Sequence, residues 1–150
     1  MEKWGLDEVV DVLRGLYDSE IIVELYYIEW TDHGEVLEKI LITRTLICLD
    51  EVAIDYKPGE TSTGNIIEFP YITLFGEIIE TSKGTTTTEI TIPIDDEDMV
   101  GVDIDQDGEL DISTGPFWEF HIIPTREPLR HRISDLIDKA NKLREQGFDA

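Results

Sequence analysis

The sequence predicts a sheet-rich α+β fold with a helix at each end. Three observations carry this expectation. The apolar fraction of 41% contains 21 isoleucines and five tyrosines, a β-branched and aromatic bias that suits pleated surfaces. Apolar residues alternate along most of the middle of the chain, and helical periodicity is confined to its first and last segments. At 150 residues the chain buries roughly two thirds of its unfolded surface, so a true hydrophobic core is expected.

Residues 6–18 read as a short amphipathic helix, with Leu6, Val9, Val10, Leu13, Leu16 and Tyr17 on one stripe and Asp7 and Glu8 in the first turn. Gly15 weakens it by about 1 kcal/mol. Residues 20–30 alternate as a strand through Ile21, Val23, Leu25 and Tyr27, Asp32-His33-Gly34 marks a turn, and residues 35–49 continue in β character. The composition of residues 57–65, KPGETSTGN, predicts a loop. Beyond it one bent strand or two are expected around Pro70 and Gly76, then a turn at Ser82-Lys83-Gly84 and the strand TTTTEITIPI. The acidic run 95–98 leads to VDIDQDGELDIS and FWEFHII, a second small β region. From Pro128 a helical stripe of Leu129, Ile133, Leu136, Ile137, Ala140 and Leu143 runs to Gly147, an expected cap. Two segments are expected, an N-terminal helix with a small bent sheet or barrel (1–84) and an acidic β region with a C-terminal helix (85–150). They join softly near 82–85 and are compatible with one compact domain.

The net charge of −22 is unevenly spread. Residues 45–125 hold 18 acids against Lys57 and Lys83, whereas residues 126–150 hold six bases and five acids. Affinity for phosphate comes from Lys and Arg displacing counterions, so nucleic acid and anionic membrane are excluded as casual partners. Any such role needs a local patch around Arg126, Arg130, His131 and Arg132. No apolar run approaches the roughly 20 residues of a membrane span, and a single cysteine, Cys48, permits no internal disulfide. A cytoplasmic protein is expected, with Cys48 in the core.

None of the common catalytic signatures occurs, and no catalytic residue is assigned. His121, which alternates with Glu119 on an expected strand, is a candidate site residue weighed against an ordinary satisfied or solvated histidine. The segment from Asp103 to Asp111 places carboxylates at Asp103, Asp105, Asp107 and Asp111 with Gly108 at the sixth position, a spacing that wraps a hard cation. It resembles the D-x-D-x-D-G-x-x-D calcium loops of integrin-type propeller repeats and, more distantly, an EF-hand loop whose closing Glu falls on Thr114. The same residues also describe a plain hairpin with an Asp-Gly turn. In that case like charges crowd one face, at a cost of up to about 1 kcal/mol per pair. Calcium at Asp103, Asp105, Asp107 and Asp111 is the one cofactor expectation.

LDEVVDVLRGLYDSEIIVEL at 6–25, LICLDEV at 46–52 and ITLFGEII at 72–79 resemble an Sm-like domain, in which a short helix leads into a small, strongly bent five-stranded barrel. The resemblance implies edge strands that pair between subunits into a ring, often around single-stranded RNA. It departs at the first RNA-contacting motif, absent from 38–46, and at the second, where Phe75-Gly76 replaces Arg-Gly. The expected function is a non-catalytic, homo-oligomerising scaffold that assembles through residues 20–30 and 71–80. The alternatives are an acidic protein that engages a basic partner and a calcium-dependent structural protein.

Overall fold

The first helix is shorter than its apolar stripe. In a computed structural model, which describes residues 2–82 and 89–145, helix α1 spans Leu6–Arg14. Gly15 ends it, donating its N–H to the carbonyls of Asp11 and Val12. A Cβ at Gly15 would lie 2.5 Å from the Leu136 side chain, so the missing side chain admits close approach by the second helix, α2 (Glu127–Glu145). The chain then turns through Asp18, at φ 61°, a left-handed conformation that Asp tolerates.

The strands are β1 (Glu2–Lys3), β2 (Glu20–Trp30), β3 (Val36–Glu60), β4 (Ile66–Thr81), β5 (Glu89–Pro93), β6 (Val100–Ile104), β7 (Leu110–Thr114) and β8 (Trp118–Pro124). They form one open antiparallel sheet in the order β1-β6-β7-β8-β2-β3-β4-β5. Strand β8, from the C-terminal half, lies directly against β2. A single core joins Val9 and Leu13 of α1, Ile133 and Ile137 of α2, and the inward residues of the strands, Val23, Leu49, Leu74, Leu110 and Phe120 among them. Thus both segments of the chain share one sheet and one core.

Two sequence expectations are corrected. Residues 20–30 are not an edge, because β2 is paired on both sides, with β3 and with β8. Nor do residues 57–60 form a loop: β3 continues through them, Lys57 opposite Phe69 and Gly59 opposite Ile67. Pro58 is accommodated because this end of β3 has a ladder on one side only, where a missing N–H costs little. Gly59 fits because the Phe69 ring lies over it, 2.5 Å from where a Cβ would be.

A bulge bends the long β3–β4 pair. Leu49 opposes Gly76 and Glu51 opposes Phe75, leaving Asp50 as the extra residue that kinks its strand. A Cβ on Gly76 would stand 2.1 Å from the Cys48 carbonyl oxygen, so only glycine permits this crossing. The segment after β5 returns to β7, where Thr114 Oγ1 donates to Pro93 O at 2.8 Å and Asp95 N donates to Thr114 O at 2.9 Å. Lys83 and Gly84 of the expected turn, residues 85–88 of the expected strand, and Gly147 lie outside the described residues.

Candidate functional site

Strand periodicity builds a polar cluster on the face of the sheet opposite the core. In β7 and β8, Leu110, Ile112, Phe120 and Ile122 face inward and are fully buried. Their neighbours Asp111, Glu119 and His121 therefore point to the other face. Register places Asp111 opposite His121, and His121 opposite Glu24 of β2.

His121 is the centre of the cluster. Its Nε2 donates to Glu119 Oε2 at 2.9 Å, and its Nδ1 lies 3.6 Å from Asp111 Oδ1. The Tyr26 ring packs beside the imidazole with centroids 4.8 Å apart. Lys39, reaching across β2, donates to Glu119 Oε2 at 2.9 Å. Glu24 accepts from Tyr26 Oη at 3.0 Å and from Arg44 Nε at 3.2 Å. Ligand atoms of Glu109, Asp111 and His121 all lie within 4.8 Å of one another.

Burial and charge act against each other here. Burial opposes the imidazolium of His121, but the hydrogen bond to Glu119 and the charge of Asp111 outweigh it and hold its pKa above 6.5. Burial likewise pushes Glu119 up, and hydrogen bonds from His121 and Lys39 overcome it and hold Glu119 low. Asp111 and Glu109 are raised, first by burial and then by neighbouring carboxylates, with His121 partly compensating. Burial and its bond to Glu24 push Tyr26 up to about 12.

The four expected calcium ligands lie along the β6–β7 hairpin, Asp103 in β6, Asp105 and Asp107 in the turn and Asp111 in β7. Asp103 opposes Asp111 across the ladder, and Asp103 and Asp107 are exposed. Asp105 Oδ1 accepts from the backbone N–H of Asp107 at 2.8 Å and of Glu109 at 3.0 Å. Of the four, Asp111 alone joins the His121 cluster.

The turn at 105–109 has two twins. Thr31-Asp32-His33-Gly34-Glu35 and Thr61-Ser62-Thr63-Gly64-Asn65 use the same closing bonds: first residue N to fifth residue O, glycine N to first residue O, and fifth residue N to the first side chain. Gly34, Gly64 and Gly108 have φ of 79°, 83° and 80°, the left-handed conformation that glycine adopts without strain. Thr31, Thr61 and Asp105 thus perform the same turn-closing task, and two of the three do it without a charge.

Exposed apolar side chains concentrate on the two ends of β3. Trp30, Val36, Leu37 and Leu41 mark the β2–β3 hairpin, and Tyr56, Ile66 and Ile67 mark the β3–β4 hairpin; Ile66 is 79% exposed. Among the described residues no strand pairs with the outer edge of 36–43 or of 53–60.

Other candidates have structural employment. Cys48 is half-buried, and burial followed by the charges of Glu20 and Asp18 pushes its thiol up, away from the nucleophilic thiolate. Arg132 donates to Ser19 Oγ at 3.0 Å and to Tyr17 O at 3.4 Å, tying α2 to the turn after α1. The stem of Arg130 lies over Gly108, and His131 faces Glu127 at 3.7 Å. Among the described residues no helix is long and apolar enough to cross a membrane.

The sequence signals for Asp111, Glu119 and His121 were their alternation in adjacent strands. Lys39 gave none, since it enters from two strands away. Compared with known proteins, the chain matches no family model, no curated protein and no solved structure, so its chemistry is read from its own geometry.

Proposed function

We propose that this protein is a non-catalytic scaffold that assembles with further copies of itself through the ends of β3. The observation that carries this reading is the pair of hairpin arms whose outer edges are unpaired among the described residues and whose Val36, Leu37, Leu41, Tyr56, Ile66 and Ile67 are exposed. A two-stranded hairpin is marginally stable in water, and an apolar edge strand invites pairing. A second copy offers both a matching edge and apolar cover. The Sm-like resemblance supports the same reading: α1 leads into β2, and LICLDEV and ITLFGEII lie side by side at the bulge where Leu49 opposes Gly76. That resemblance carries an implied pairing of edge strands between subunits.

The alternative of an acidic protein for a basic partner draws support from the net charge. It draws less from the polar face, because Glu24 is matched by Arg44 and Glu119 by Lys39 and His121. Light scattering of the full chain tests the scaffold reading. A mass that is a whole multiple of the single chain is expected, and a monomer at high protein concentration removes it.

A further inference from the structure

We propose that Glu109, Asp111 and His121 bind one divalent transition-metal ion of the zinc class, with Glu119 fixing the imidazole that ligates it. The inference is independent of how the chains assemble. Its first ground is donor chemistry. Asp111 of β7, His121 of β8 and Glu109, which ends the turn before β7, bring two carboxylates and one imidazole together with ligand atoms within 4.8 Å of one another. Modest side-chain rotations bring them around an ion held at about 2.0–2.2 Å.

The second ground is an oxygen without a hydrogen. Asp111 Oδ1 is shielded from solvent and accepts no hydrogen bond among the described residues, although it lies 3.6 Å from His121 Nδ1. A shielded carboxylate oxygen left without a donor is costly, and a cation between Oδ1 and Nδ1 would satisfy both atoms. The third ground is orientation. Metal-bound histidines commonly give their other ring nitrogen to a carboxylate. Glu119 occupies that position on Nε2 at 2.9 Å and is itself held by Lys39.

The imidazole also selects the ion. Calcium takes oxygen ligands, whereas a mixed nitrogen and oxygen set suits zinc and its neighbours. The Asp105 carboxylate, already engaged by two backbone N–H groups, takes no part. The ion therefore sits where the end of the turn meets the outer face of β7 and β8, outside the loop that Asp105 closes.

The test uses the full chain, stripped with a chelator and titrated calorimetrically with Zn2+, with Co2+ as a spectroscopic substitute. One Zn2+ per chain is expected, with a melting temperature raised by binding to the native state alone and no comparable response to Ca2+. Asp111→Asn and His121→Gln should each abolish binding or weaken it at least about tenfold, and Glu119→Gln should weaken it by about tenfold. His33→Gln, in the turn between β2 and β3, should bind as the native chain does. Should His121→Gln fail to fold by circular dichroism, Asp111→Asn preserves side-chain size and decides the matter. Absence of Zn2+ binding, binding that survives Asp111→Asn, or binding lost in His33→Gln overturns the proposal.

Discussion

The middle of β3 and its two ends belong to one continuous strand, yet they live in different surroundings. Between Thr45 and Cys48 the strand is paired on both sides, and Ile47, Leu49 and Val52 are almost wholly buried. Toward Val36 and toward Glu60 the same strand has one hydrogen-bonded neighbour among the described residues, and several of its apolar side chains face water. Hydrophobic residues in the centre therefore specify the fold. At the ends they contribute little to it, and their exposure there is what the proposed assembly rests on.

Substitutions should separate the two regions sharply. Phe120→Ala and Leu49→Ala, each opening a cavity in the shared core, should lower unfolding free energy by about 3–5 kcal/mol in denaturant titrations. Gly76→Ala forces a methyl group into the Cys48 carbonyl; a loss of about 3 kcal/mol, in the range of overpacking, is expected by the same measurement. Leu37→Lys or Ile66→Lys should change the stability of the isolated chain by no more than about 0.5 kcal/mol while lowering its associated mass. If the arm variants unfold the protein as readily as the core variants do, the contrast between centre and ends fails.

A smaller effect is expected on the outer face. The raised pKa of His121 means that its stabilising contribution is fully present below its ordinary value of 6.5 and is lost as pH rises through the folded value. Glu119, held low, contributes above its ordinary value of 4.5 and loses that contribution as pH falls through the folded value. Raised Asp111 and Glu109 act in the opposite sense, since their charged forms are disfavoured and acidification relieves them. In chelator, urea midpoints should therefore decline from pH 6 to pH 8, and His121→Gln should flatten that decline. An identical slope in the variant would remove His121 from the account.

Much of this division was legible in the residues. Alternation in 20–30 and 110–123, the glycine turns at 34 and 108, and the stripe from Leu129 to Ala140 follow from local geometry. What was not legible was partnership. The order in which strands pair is a long-range choice, so the sequence could not place β8 against β2 or mark β2 as interior. Composition misread Lys57-Pro58-Gly59 because the Phe69 ring that covers Gly59 lies across the ladder. The Asp103 to Asp111 spacing suggested a calcium loop, and the turn within it closes on Asp105 as its twins close on Thr31 and Thr61. The polar cluster was half visible, through His121 and Glu119, and hidden where Lys39 enters.

Amide hydrogen exchange at low and high protein concentration tests the assembly of β3 ends most directly. Among the described residues the outward N–H groups of 36–43 and 53–60 have no ladder partner, so they are expected to exchange readily when the chain is alone. The account predicts that their exchange slows as concentration rises, while amides of the central residues 45–49 remain protected throughout. Exchange at both arms that is fast and independent of concentration would contradict it.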